Sequence, residues 1–91
     1  VNNEVTSVDY VRSGEEVVIW PNPSSGSFTL KELPENAERV EVTDLRGSVA
    51  LRNEPGSGAR EVFFSTRLPP GVYLVTVYGR DYVVTRKLII N

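Results

Sequence analysis

Residues 20–30 read Trp20-Pro21-Asn22-Pro23-Ser24-Ser25-Gly26-Ser27-Phe28-Thr29-Leu30. Each proline fixes its own φ and pushes the residue before it toward extended conformations, so Trp20 and Asn22 are both held out of the helical region. No helix runs through the segment. The prolines also lack the N–H that a sheet ladder needs, so a strand ending at Trp20 stops pairing there on at least one side. Ser24-Ser25-Gly26 reads as a turn, after which Phe28 and Leu30 fall on one face of a strand and Ser27 and Thr29 on the other. The segment therefore predicts a strand, a rigid corner and a second strand. Trp20 is expected in or beside the core, with Trp20 and Phe28 anchoring the two sides of the corner.

The flanking sequence continues in short strands. Val17-Val18-Ile19-Trp20 is a compact apolar run suited to a buried strand. Before it, residues 1–14 are polar, with Val5, Val8, Tyr10 and Val11 as their apolar members, and read as a linker with a possible edge strand. Starting at Val1 without a methionine, the chain reads as a piece of a longer protein. Leu33-Pro34-Glu35-Asn36 centres a polar connection too broken for a helix. Val40 and Val42 then alternate with Glu41 and Thr43, the pattern of a half-exposed strand. Asp44-Leu45-Arg46-Gly47 is the best-defined turn: aspartate suits its first position and glycine the left-handed residue that closes a three-residue hairpin loop. The returning strand is expected to carry Val49 and Leu51 inward. Beyond the Gly- and Pro-containing loop over residues 53–58, Val62 and Phe64 share one side of a further strand. Leu68-Pro69-Pro70-Gly71 interrupts the pattern, with Pro70 and Gly71 suited to the centre of a type II turn. Residues 72–78 are apolar on both faces and call for a central place in a sheet. Tyr82, Val84, Leu88 and Ile90 share one face of the last strand, with Arg86 interrupting them. About seven short strands and no helix predict an all-β fold, an antiparallel β-sandwich of immunoglobulin-like type.

Composition narrows the chemistry. The 91 residues carry a formal net charge of -2 and contain neither histidine nor cysteine. The usual nucleophile–base pairs and histidine or cysteine metal sites are thereby excluded, and no enzyme activity, cofactor or metal is expected. Paired carboxylates remain open in principle, but a chain of this size offers little room for a substrate cleft. Asp44, Glu41, Asp81 and Glu54 are oxygen donors near loops, although no aspartate-rich calcium loop is present and Asp44 already has a turn role. Scattered lysines and arginines argue against a nucleic-acid partner, and no apolar run is long enough for a membrane helix, so no membrane insertion is expected. Trp20, Tyr10, Tyr78 and Tyr82 could form a sugar-binding platform, yet aromatics are strand formers in any case and core packing is the preferred reading.

Four blocks in order resemble a known family, the C-terminal sorting domain of type IX secretion cargo from Bacteroidetes (Por secretion tail). They are Trp20-Pro21-Asn22-Pro23 with Gly26, Phe28 and Leu30; Val40, Val42, Asp44 and Gly47; Leu68, Pro69, Gly71, Tyr73 and Val75; and Lys87-Leu88-Ile89-Ile90-Asn91. The family more often has tyrosine where Trp20 stands. The resemblance implies a seven-stranded immunoglobulin-like domain over residues 15–91, with the junction to an N-terminal cargo domain in residues 1–14. It implies passage through the periplasm to the cell surface or beyond, and recognition by the outer-membrane type IX translocon and its shuttle components. Removal by a surface sortase-like peptidase typically follows. Recognition is expected at Lys87, Leu88, Ile89, Ile90 and Asn91, by strand addition or groove docking. The alternative is a surface immunoglobulin-like accessory module that binds glycan or protein.

Overall fold

The computed structural model describes residues 17–91; the linker expected over residues 1–14, and Tyr10 within it, lie outside the described residues. Seven strands and no helix occupy the described part: β1 Val18–Trp20, β2 Ser27–Lys31, β3 Ala37–Asp44, β4 Val49–Asn53, β5 Val62–Ser65, β6 Gly71–Gly79 and β7 Val83–Ile90. They form two antiparallel sheets, β1-β2-β5 and β4-β3-β6-β7. The chain crosses between sheets after β2, β4 and β5, the Greek-key connectivity of an immunoglobulin-like sandwich.

Alternation places the core. Phe28 and Leu30 of β2 pair with Phe64 and Val62 of β5, and all four point inward. Cross-strand partners share a face, so the Phe28 and Phe64 rings stack with centroids 5.1 Å apart. The opposite sheet supplies Val40, Val42, Tyr73, Val75, Val77, Val84, Leu88 and Ile90 to the same cluster. As its two apolar faces require, β6 lies centrally, between β3 and β7.

Four sequence expectations fail for identifiable reasons. Trp20 is 64% exposed, because it pairs with Thr29 and shares that residue's outward face. The run around it is an edge strand rather than a buried one: Val17 and Ile19 turn inward while Val18 and Trp20 face out. Val49 is exposed too, since a register shift between Val42 and Thr43 breaks the alternation that would have carried it inward. Gly71 is not the centre of a type II turn. With φ 155 it opens β6 and pairs with Ile90.

The connection after β2 hides a core residue among polar neighbours. Leu33 is fully buried, and its N–H donates to the Arg60 carbonyl at 3.0 Å, tying the connection to the approach of β5. Leu33→Ala is expected to cost about 2–5 kcal/mol, the range for emptying a buried leucine site. The measurement is the urea midpoint, and an unchanged midpoint would contradict the burial.

Candidate functional site

The corner between β1 and β2 does more than turn the chain. Both of its X–Pro bonds, Trp20-Pro21 and Asn22-Pro23, are cis, and it lies along the outer edge of β7. The Asn22 carboxamide takes the place of a neighbouring strand's peptide group there. Its Nδ2 donates to the Lys87 carbonyl at 2.9 Å, and its Oδ1 accepts the Ile89 N–H at 3.0 Å. Two residues on, main chain takes over: the Ser24 N–H donates to the Ile89 carbonyl and the Asn91 N–H to the Ser24 carbonyl, each at 2.8 Å, making a parallel bridge between Ser24 and Ile90. Prolines have no N–H to offer this edge, so an asparagine between them restores both halves of a ladder contact.

Ser24 braces the corner from inside. Its side chain is buried, yet the hydroxyl donates to the Ser27 carbonyl at 2.8 Å and accepts the Gly26 N–H at 3.0 Å. Gly26 must remain glycine: at φ 141 a Cβ would sit 2.9 Å from the Thr66 carbonyl oxygen, whose own N–H donates to Gly26.

Sheet register carries the site across to the other two motif blocks. Ile90 pairs with Gly71, Leu88 with Tyr73, and Tyr73 with Asp44, so the corner, the end of β7, the start of β6 and the β3–β4 turn share one end of the sandwich. Between that turn and the residues leading into β6 lies an open groove of about 440 Å³, lined by Asp44, Leu45, Arg46, Ala50 and residues 68–73. The Tyr73 hydroxyl donates to the Pro69 carbonyl at 2.6 Å and fixes the proline segment against the strand.

Asp44 organises the turn as a carboxylate. Its Oδ1 accepts the N–H of Arg46 at 2.9 Å and of Ser48 at 3.0 Å, while the Gly47 N–H donates to its carbonyl and Gly47 takes φ 93. The Ser48 amide chiefly, then the amide and charge of Arg46, hold its carboxyl below the ordinary aspartate value against a partial desolvation.

Residues 18–91 match the family model for a secretion system C-terminal sorting domain. The chain belongs to that family. No curated protein matches it. Membership makes this a type IX sorting domain, which implies export toward the cell surface or extracellular space, dealings with the secretion machinery and attachment to a cargo domain.

In the sorting domain the corner Trp20, Pro21, Asn22, Pro23 meets residues 87–91 through Asn22, and Ser24 continues the contact, while Gly26 and Phe28 follow in the turn and the core of β2. Asp44 lines the groove with Leu68, Pro69, Gly71 and Tyr73, and Gly47 closes the turn beside it. Within residues 87–91 the roles divide: Leu88 and Ile90 are core, Lys87 and Asn91 are exposed, and Ile89 is half-buried. Of the aromatics in the sugar-platform reading, the three among the described residues do not assemble. Tyr82 is buried with its hydroxyl donating to the Glu35 carbonyl at 3.2 Å, Tyr78 carries the Arg39 guanidinium 4.0 Å over its ring, and Trp20 belongs to the other sheet. Glu41 and Glu54 are paired with Arg39 and Arg52, and no group of three or more carboxylates gathers for a metal among the described residues. Ser24 was legible only as a turn residue. The serine two positions before glycine is the available clue, since a hydroxyl there caps its own turn.

Asn22→Ala in the sorting domain is expected to lower unfolding free energy by about 1–3 kcal/mol, with an edge amide and carbonyl stripped of partners. Hydrogen exchange at Ile89 checks the cause: its amide should lose protection in the variant, and unchanged protection would refute the contact. For Asp44 the folded-state pKa is depressed, so its contribution is complete above the unfolded value near about pH 4 and is lost as pH falls through the lower folded value. Asp44→Asn should flatten that acid limb of a stability-against-pH curve, and a curve of unchanged shape would exclude the role.

Proposed function

We propose that the domain is an adaptor and not a catalyst, read by the type IX machinery at the end of the sandwich where the four motif blocks meet. The observation that carries this reading is the corner's attachment to β7, which joins the first and last blocks into one surface through Asn22 and Ser24. Many block residues are core and come together by packing, but Asn22, Lys87 and Asn91 are not core, and a shared readable surface accounts for their place at the joined end.

Within this reading residues 15–91 are the sorting unit and residues 1–14 the junction to cargo. The cargo crosses the periplasm, is carried through the outer-membrane translocon with its shuttle components, and is then separated from the domain by a surface sortase-like peptidase. Lys87, Ile89 and Asn91 offer side chains outward, whereas Leu88 and Ile90 act by holding β7 in the core. Arg86 lends its guanidinium to the Thr85 carbonyl at 3.1 Å, on the stretch of β7 edge that the corner leaves uncovered. The accessory-module alternative is favoured by one feature, the row Trp20–Thr29–Phe63 that crosses the outer face of the three-stranded sheet with both aromatics exposed.

The test fuses residues 1–91 to a periplasmic reporter in a host with type IX secretion. Removing residues 87–91 would also empty core positions, so Lys87→Glu is the cleaner variant. The unsubstituted fusion should reach the surface and the folded variant should accumulate in the periplasm. Periplasmic retention of the unsubstituted fusion, with specific glycan binding by the purified domain, would replace sorting with the accessory-module reading.

A further inference from the structure

Four strand edges bound the two sheets: β1 and β5 in one, β4 and β7 in the other. Two of them are guarded. β1 has three residues and runs into Pro21 and Pro23, and β7 is closed near its end by Asn22 and Ser24. β4 has neither device. Its residues Val49–Asn53 include no proline, and its one charge, Arg52, is engaged by Glu54 at 3.3 Å. No strand among the described residues pairs with its outer side.

Beside that edge the sandwich opens. Ala50 of β4 lines the groove of about 440 Å³ shared with Leu45 and the Leu68–Val72 approach to β6, a volume within the roughly 300–1,000 Å³ of ligand clefts. A row of unpaired main-chain groups is complemented by another extended main chain, and an apolar groove next to it is complemented by that chain's side chains. Resting on the sorting reading, we propose that β4 receives an extended segment of a type IX machinery component as an added strand, with an apolar side chain of that segment seated in the groove. The groove joins two of the four motif blocks, and it lies at the same end of the sheet as the corner and the end of β7, so one partner can span both. A second copy of the domain fits less well. Antiparallel self-pairing centred on Leu51 sets Arg52 opposite Ala50, bringing a second guanidinium to a groove that already holds Arg46, with the Asp44 carboxylate already engaged by Arg46 at 3.5 Å.

The experiment uses the full-chain reporter fusion in the secretion-competent host. Val49→Lys and Ala50→Asp place charges on exposed edge positions, the device natural sheets use to refuse an added strand. Each should keep the thermal midpoint of the unsubstituted fusion while surface delivery falls about tenfold, the effect of losing one well-seated interface contact. A photo-crosslinking residue at position 49 should capture a machinery component that the same residue at position 63, on the opposite sheet's outer face, does not. Full export of both charged variants alongside an exported parent overturns the β4 proposal alone, as does a loss confined to self-association in sedimentation. Failure of the parent fusion to reach the surface overturns the sorting reading and this proposal with it.

Discussion

The structure hinges on one side chain standing in for a strand. A β-sandwich built from β1-β2-β5 and β4-β3-β6-β7 leaves β7 at an edge, and an edge ending in apolar residues invites pairing with other chains. Asn22 answers with both a donor and an acceptor, spaced to meet the Lys87 carbonyl and the Ile89 N–H. Ser24 extends the contact with its own main chain. The corner thus fixes where β1 ends, where β2 begins and how far β7 is covered, and these position the core residues Phe28 and Ile90 and the half-buried Ile19 packed against the core.

Closure on that side leaves an asymmetric molecule. The β1–β7 flank is knitted together between sheets, whereas β4 and β5 on the other flank have no strand partner on their outer sides among the described residues. The two ends of the sandwich differ as well. One gathers the corner, the Asp44 turn and the proline segment; the other holds the buried Leu33 connection and the Gly79–Tyr82 turn, where the Gly79 N–H donates to the Tyr82 carbonyl at 2.9 Å. A protein that needed only to be stable would have little use for such a division.

Much of the fold was readable because period-two alternation is a local property: Val40 and Val42, Val62 and Phe64, and the Asp44–Gly47 turn all fall as their neighbours dictate. What escaped depends on distant chain. Trp20 faces outward because Thr29 across the ladder does, and a three-residue strand is too short to declare its own parity. Val49 turned out because of a bulge that alternation cannot announce. Leu33 sits among polar residues, so its burial follows from the chain that covers it. For the site, the motif blocks were legible one by one. Their meeting was not, since Asn22 has no local mark distinguishing a strand substitute from an ordinary turn asparagine.

The Asn22 contacts also set an order in time. They join residues 65 and 67 positions apart, so the corner can be completed only after nearly the whole domain has been synthesised and β7 has docked on β6. Loops of that length close late in folding, after local hairpins have formed. A chain cut short before residue 87 cannot assemble the joined surface at all, however well its earlier strands pair. The join between the corner and β7 therefore exists only once the last strand is docked, and it ties the first motif block to the last in the folded domain alone.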